Sequence, residues 1–204
     1  GPAGGVQSTV AVGEKINRSD ILSFDMGGTT AKAALVENGK PKISPMLEVA
    51  RTNRFKKGSG LPVFVPVIDM IEIGAGGGSI ARVDPLGLLK VGPESAGAEP
   101  GPACYGKGGK LPTVTDANLV LGYLDSGYFL GGTMSLDKAA ALDAIADLSK
   151  SLGLSTLATA SGIYDLVCEN MAAAARVHIV ETGRDPRGYA MVAMGGAGPL
   201  HAAA

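Results

Sequence analysis

The sequence predicts an α/β protein with a mixed sheet, flanking helices and an irregular insert rich in glycine and proline. Three observations carry that prediction. Short apolar runs alternate with turn residues over positions 21–83. Apolar residues then recur at helical spacing between about 135 and 180. Two glycine clusters, Gly27–Gly28 and Gly195–Gly198, each follow a strand-like run. Such clusters mark places where backbone turns sharply or must approach something closely.

In chain order, Gly1–Gly5 reads as a loop leading to a short segment that ends near Val12. Ile21–Asp25 is a strand, Met26-Gly27-Gly28-Thr29-Thr30 a turn, and Ala31–Val36 a second strand. Glu37-Asn38-Gly39-Lys40 has hairpin-turn chemistry, and Pro41–Val49 completes a three-strand meander. Leu61–Ile73 is β-type and punctuated by proline, and Ser79–Val83 is expected to pair back on it across Gly74–Gly78. Gly92–Gly109 is expected to be irregular. Ser135 can cap a helix whose stripe is Leu142, Ile145, Leu148 and Leu152, with Gly153 as its stop. A second helix starts near Ser155, carries Ile163, Val167, Met171, Ala174 and Val177, and ends at Thr182-Gly183. Asp185–Gly188 is a turn, Tyr189–Met194 a buried strand, and Pro199 opens a nascent helix. Both ends are expected to be cut, because Gly1 starts within a loop and no cap follows Ala204.

Composition narrows the function classes. At 204 residues the chain can build one domain or two small lobes. With 46% apolar and 18% charged residues it is a folding sequence, not a disordered one. A net charge of -1 without like-charge runs argues against nucleic acid and against a membrane-attracted face. Arg54–Lys57 is the one locally basic stretch, and it reads as a solvated loop. Two distant cysteines make neither a disulfide framework nor a metal cluster. A cytoplasmic protein is expected, since no apolar stretch has membrane-spanning length and the start is not signal-like.

Phe24-Asp25-Met26-Gly27-Gly28-Thr29-Thr30 is the first chemical candidate. Phosphate needs backbone N–H donors at close range, which glycine permits by lacking a Cβ. It also needs a cation, which Asp25 could hold directly or through water. An ordinary hairpin with a Gly-Gly turn reads equally well. The second candidate is Gly195-Gly196-Ala197-Gly198, between a strand and a helix start, where anions and nucleotides commonly sit. Close strand–helix packing would demand the same glycines.

Two phosphate-loop look-alikes fail on context. Gly76–Ala81 matches G-x-G-x-x-A, but a strand-like run and Pro85 follow instead of a helix. Gly101–Lys107 matches G-x-x-x-x-G-K, but Gly108 replaces the hydroxyl residue and no strand precedes it. His201 could touch a ligand, although a surface or packing role is the commoner one for such a histidine; His178 reads as structural. Cys104 reads as a packed thiol and Asp116 as a helix cap.

Phe24–Thr29, Glu72–Ala81, Val91–Ala98, Pro100–Gly106, Pro112–Leu121, Phe129–Gly132, Asp185–Arg187 and Gly195–Ala202 together resemble the hydantoinase A/5-oxoprolinase family. Arg54–Pro62 is most similar to its N-methylhydantoinase branch. The resemblance implies an actin-like ATPase of two RNase H-like lobes with ATP between them. Residues 1–204 would be the second lobe, with 50–112 as a β/irregular insert. The first phosphate loop would lie in an earlier lobe, so the isolated piece is expected to be inactive and to bind ATP weakly. The implied chemistry is ATP-driven hydrolysis of a cyclic amide (hydantoin, N-methylhydantoin or 5-oxoproline) through phosphorylation of its carbonyl oxygen. Asp25 would hold Mg2+, Gly27, Gly28, Thr29 and Thr30 the phosphates, and Gly195, Gly196, Ala197 and Gly198 the nucleoside. The hydrolytic half-reaction is expected in a hydantoinase B-type subunit or domain. The alternatives are the ATP-binding subunit of an acetone- or acetophenone-type carboxylase and a non-catalytic nucleotide-binding module.

Overall fold

The computed structural model describes residues 1–50 and 58–204, so the basic run Arg54–Lys57 falls outside the described residues. The chain divides into two units: Gly1–Asp25 with Lys32–Ile73 and Ala172–Met194, and Met26–Ala31 with Gly74–Met171 and Gly195–Ala204.

The first unit starts with a finding the sequence reading missed. Gly1–Gly5 is not a loop: α1 spans Pro2–Ile16, with Pro2 in its first turn and Gly1 as N-cap. Gly4 and Gly5 lower helix propensity by about 1 kcal/mol each, which hides the helix. Packing restores it, because Val6 and Val10 lie against Ile21, Ala34 and Val36. Gly13 lets the helix settle on the sheet, since a Cβ there would meet Ile21 Cδ1 and come 2.7 Å from the Arg18 carbonyl oxygen.

The meander forms as expected at its start. β1 (Ile21–Met26) and β2 (Ala31–Glu37) are neighbours joined by four residues, a connection too short for anything but antiparallel pairing. Asn38 (φ 51°) and Gly39 (φ 72°) turn the chain into β3 (Lys40–Pro41), which pairs antiparallel with β2. The expected third strand, Pro41–Val49, is instead broken into β3, β4 (Ile43–Ser44) and β5 (Leu47–Val49). The stretch Leu61–Ile73 likewise yields β6 (Leu61–Val63), β7 (Val67–Ile68) and β8 (Met70–Ile73). β5 pairs with β6, β4 with β7, and β8 joins β2 in the main sheet.

In the second unit, β9 (Ser79–Val83) pairs with β10 (Leu89–Ser95), not back on the preceding strand as expected. The Asp84 carboxylate fixes that turn by accepting from the Leu86 and Leu88 N–H groups. β10 therefore enters the region expected to be irregular; beyond it the chain is loop apart from a 3-10 turn at Ala103–Tyr105. Helices follow: α2 (Val114–Val120), a 3-10 turn at Leu130–Gly132, and α3 (Lys138–Leu152). Asp137 caps α3 through the Ala140 N–H, not Ser135, while Gly153 ends it as expected. Its buried face is Ala141, Ala144, Ile145 and Ser149; Leu142 faces outward. The core here gathers Cys104, Leu119, Leu136 and Ala141.

α4 (Thr156–Val180) buries Ile163, Val167, Met171 and Ala174 as expected, whereas Val177 is exposed and His178 takes the inner position. A 3-10 turn at Pro186–Gly188, capped by Asp185, leads into β11 (Ala190–Met194). β11 pairs parallel with β1, Ile21 opposite Ala190 and Asp25 opposite Met194. It was expected to be buried and is half-buried, as an edge strand is. The short α5 (Gly198–His201) has Pro199 in its first turn. Among the described residues no helix is long and apolar enough to cross a membrane.

Candidate functional site

Three glycine segments converge in the second unit, and hydrogen bonds tie them together. Gly27 N–H donates to the Thr30 carbonyl at 3.0 Å and closes the turn after β1. Gly77 and Gly78 N–H groups donate to the Gly27 and Gly28 carbonyls at 3.0 and 2.6 Å. Ala197 N–H donates to the Met26 carbonyl at 3.0 Å, which fixes the second candidate loop to the first. Gly76–Gly78, the start of the string Gly76–Ala81 dismissed as a dinucleotide fingerprint, is thus the backing of the first loop.

The glycines differ in what demands them. A Cβ on Gly76 would sit 2.6 Å from the Thr29 carbonyl carbon and 2.7 Å from the Gly28 carbonyl group, so main chain itself excludes a side chain. Gly195 has φ 83°, a left-handed backbone that glycine adopts without cost. Gly28 and Gly196 have neither constraint: nothing lies within 4 Å of the Cβ position at either residue. Among the described residues, the N–H groups of Gly28, Thr29 and Gly196 also donate no hydrogen bond.

These open glycines face a cavity of about 540 Å3 lined by Gly27, Gly28, Gly77, Gly196, Ala197 and Leu200. Tyr105, Leu124, Phe129, Leu130 and Met134 supply an apolar wall, and Thr115, Asn118, Lys107 and Ala98 complete the lining. The volume lies within the usual range for small-molecule sites. Thr29 is exposed in the loop, and Thr30 is half-buried. Asp25 belongs to the first unit, where it is half-buried at the end of β1.

The floor beneath the cavity is polar and locked. Asp116 is fully buried, and its carboxylate accepts from the Ala103, Cys104 and Thr113 N–H groups and the Thr113 hydroxyl at 2.7–3.2 Å. Thr113 is the N-cap of α2 and Asp116 its third residue, a reciprocal capping box. The expectation that Asp116 serves a cap holds, at the third position instead of the first. Thr115 N–H and hydroxyl both donate to the Gly77 carbonyl, anchoring the backing loop.

Cys104 is buried, and desolvation followed by the Asp116 charge pushes its thiol far above the usual range, so it is a packed thiol as expected. His201 lies inside, not at the surface: its Nε2 is 3.1 Å from the Asn118 amide nitrogen and its Nδ1 3.2 Å from Cys168 Sγ. Its ring also stacks on Tyr164, whose hydroxyl donates to the Leu200 carbonyl. Burial pulls the imidazole down to about 4 and pushes the Cys168 thiol up to about 11. Both groups are therefore neutral at pH 7, and they form no activated nucleophile pair. His201 is a packing residue that holds the second loop. The Asn118 amide oxygen is buried without a partner.

The sequence reading did not single out Gly77, Lys107, Thr115 or Asn118. A usable signal existed for each of them, since Thr115 and Asn118 lie in the stretch Pro112–Leu121, Gly77 in Glu72–Ala81, and Lys107 ends a G-x-x-x-x-G-K string.

A solved structure of acetone carboxylase in its nucleotide-free form matches with a TM-score of 0.85 at 33% identity, over 98% of this chain and 27% of that one. The crystal structure of ATP-dependent caprolactamase from Pseudomonas jessenii matches with a TM-score of 0.83 at 42% identity, over 100% of this chain and 28% of that one. The architecture is thus a mixed α/β fold of the actin-like ATPase class. An uncharacterised protein of Methanocaldococcus jannaschii is 47% identical over 98% of this chain and 30% of its own length. The chain belongs to the hydantoinase/oxoprolinase family, whose pattern matches residues 1–204. It spans less than a third of the length of these relatives.

Proposed function

We propose that this chain supplies the second lobe's share of an ATP site in an enzyme that hydrolyses a cyclic amide by phosphorylating its carbonyl oxygen. The observation that carries the reading is the pair of linked loops whose glycines Gly28 and Gly196 are left open by the protein and whose N–H groups are unused. Those donors suit phosphate oxygens.

In this reading Gly27–Thr30 cradle the phosphates and Gly195–Gly198 border the nucleoside. Asp25 holds Mg2+. The Asp25 carboxylate, half-buried near the end of β1 and just before the glycine turn, is a ligand of the kind such an ion takes. Mg2+ keeps water and takes one or two carboxylates plus phosphate oxygens. When bound, it neutralises charge on the phosphates during transfer. The chain's own residues position and polarise through backbone N–H groups. The γ-phosphoryl group moves to the amide oxygen as ADP leaves; water then opens the ring and inorganic phosphate departs. A hydantoinase B-type partner subunit or domain contributes the hydrolytic step, and an earlier lobe of the same polypeptide the first phosphate loop. A cytoplasmic setting supplies ATP and Mg2+.

Acetone carboxylase's TM-score of 0.85 supports a second reading, carbonyl phosphorylation in the service of carboxylation. The full-length protein with its partner separates the two: ATP-dependent ring opening of a hydantoin, 5-oxoproline or caprolactam against bicarbonate-dependent carboxylation of a ketone. Calorimetry with Mg-ATP on the same protein tests the metal assignment. Asp25→Ala is expected to lower the affinity, and equal heats for variant and wild type would remove Asp25 from the site.

A further inference from the structure

The string Gly101–Lys107 fails as a phosphate loop, yet its last residue lines the same cavity as Gly27, Gly28, Gly196 and Ala197. Among the described residues no carboxylate lines that cavity, and Lys107 is the one charged side chain in its wall. Lys107 forms no ion pair among the described residues. A lysine left unpaired beside unused N–H donors forms a positive field with no internal counter-charge.

The backbone just before Lys107 is held by hydrogen bonds. The 3-10 turn Ala103–Tyr105 precedes it with Gly106 between, and the buried Asp116 carboxylate clamps that turn through the Ala103 and Cys104 N–H groups. Gly106 N–H closes the turn on the Ala103 carbonyl at 3.2 Å. A flexible lysine on a floating loop would gain little from a ligand, because ordering it costs entropy. Anchoring the turn just upstream shortens the stretch of chain that must be ordered when Lys107 takes a ligand.

We propose that Lys107 is the anion-holding side chain of this cavity, its ammonium taking the charged oxygens of the bound ligand opposite the glycine N–H groups. This rests on the reading of the cavity as part of the ATP site, and the nucleotide's phosphates are the ligand it fits first. The carboxylate of an acidic lactam such as 5-oxoproline offers the same chemistry.

The test uses the full-length protein with its partner, comparing wild type, Lys107→Met and Lys107→Arg. Binding of Mg-ATP, adenosine, 5-oxoproline and caprolactam is measured by calorimetry at two salt concentrations. Losing one charge-assisted hydrogen bond is expected to weaken the anionic ligand about tenfold or more. Lys107→Met should weaken Mg-ATP and leave adenosine unchanged if phosphate is the ligand. It should weaken 5-oxoproline and leave caprolactam unchanged if a carboxylate is. Lys107→Arg should restore part of the loss, and the methionine variant should show a shallower salt dependence. Unchanged affinities for both anionic ligands in Lys107→Met would overturn the proposal while leaving ATP-driven ring opening intact. Lys107-dependent ATP binding without ring opening would sink the proposed reaction and leave Lys107's role standing.

Discussion

Two glycine segments in the second unit have similar composition and opposite reasons for it. Gly76 is glycine because main chain of the neighbouring loop stands where its Cβ would be. Gly28, in that neighbouring loop, is glycine although nothing in the protein lies within 4 Å of its Cβ position. The first residue is required by the fold. The second meets no steric demand from the protein, which suits the proposed approach of a ligand to its bare backbone. Counting glycines cannot separate the two cases; what stands next to each missing Cβ does.

The sharpest way to break this comparison is Gly76→Ala. The methyl group would press on carbonyl atoms of the neighbouring loop, which is hydrogen-bonded to its own and has no rotamer to escape into. A loss of about 3 kcal/mol is expected, at the upper end of overpacking costs, seen as a lower urea midpoint. Stability within about 0.5 kcal/mol of wild type would show that the loops are not in close register.

Next in size is acid sensitivity at the other loop. His201, at the end of α5, has its imidazole pulled down to about 4 by burial, from an unfolded value near 6.5. Between those values the unfolded chain binds a proton that the folded chain refuses. Stability therefore falls as pH drops from about 6.5 through 4, by up to about 3 kcal/mol. Urea titrations at pH 7 and 4.5 should show this loss in the wild type and a smaller one in His201→Asn. Equal acid sensitivity in both proteins would move its origin elsewhere. Since His201 is buried against Asn118, Cys168 and Tyr164, protonation should loosen Gly195–Gly198 before the Gly27–Thr30 turn.

The smallest stability effect belongs to Gly28→Ala, and it completes the contrast. A methyl group in open space should change folding by less than about 0.5 kcal/mol. If phosphate approaches that backbone, the same methyl should weaken Mg-ATP binding to the full-length protein. A variant with normal stability and normal ATP affinity would return Gly28 to an ordinary hairpin turn.

Much of the local structure was legible because its causes are local. Ile21–Asp25, the glycine turn, Asn38-Gly39 and the Gly153 stop all lie where sequence signals put them. α4 was readable from its repeating apolar face. Other features yielded only to tertiary context. α1 goes against its own glycine content and exists because the sheet gives Val6 and Val10 a place to bury. β9 was expected to fold back on the strand before it, and pairs with β10 because the Asp84 turn brings that strand closer. Asp137 outcompeted Ser135 for the cap, a choice between two suitable residues two positions apart.

The sequence by itself determined the α/β class, the two candidate loops and the family resemblance, because turns, caps and hydrophobic periods are written over a few consecutive residues. Only the tertiary structure decided which glycines serve the fold and which face the cavity. It alone put Lys107, discarded with a failed motif, in that cavity's wall, and it buried His201 as a brace. Those assignments depend on atoms separated by dozens of residues, such as Thr115 on Gly77 and Asn118 on His201, and no local pattern specifies which distant group will arrive.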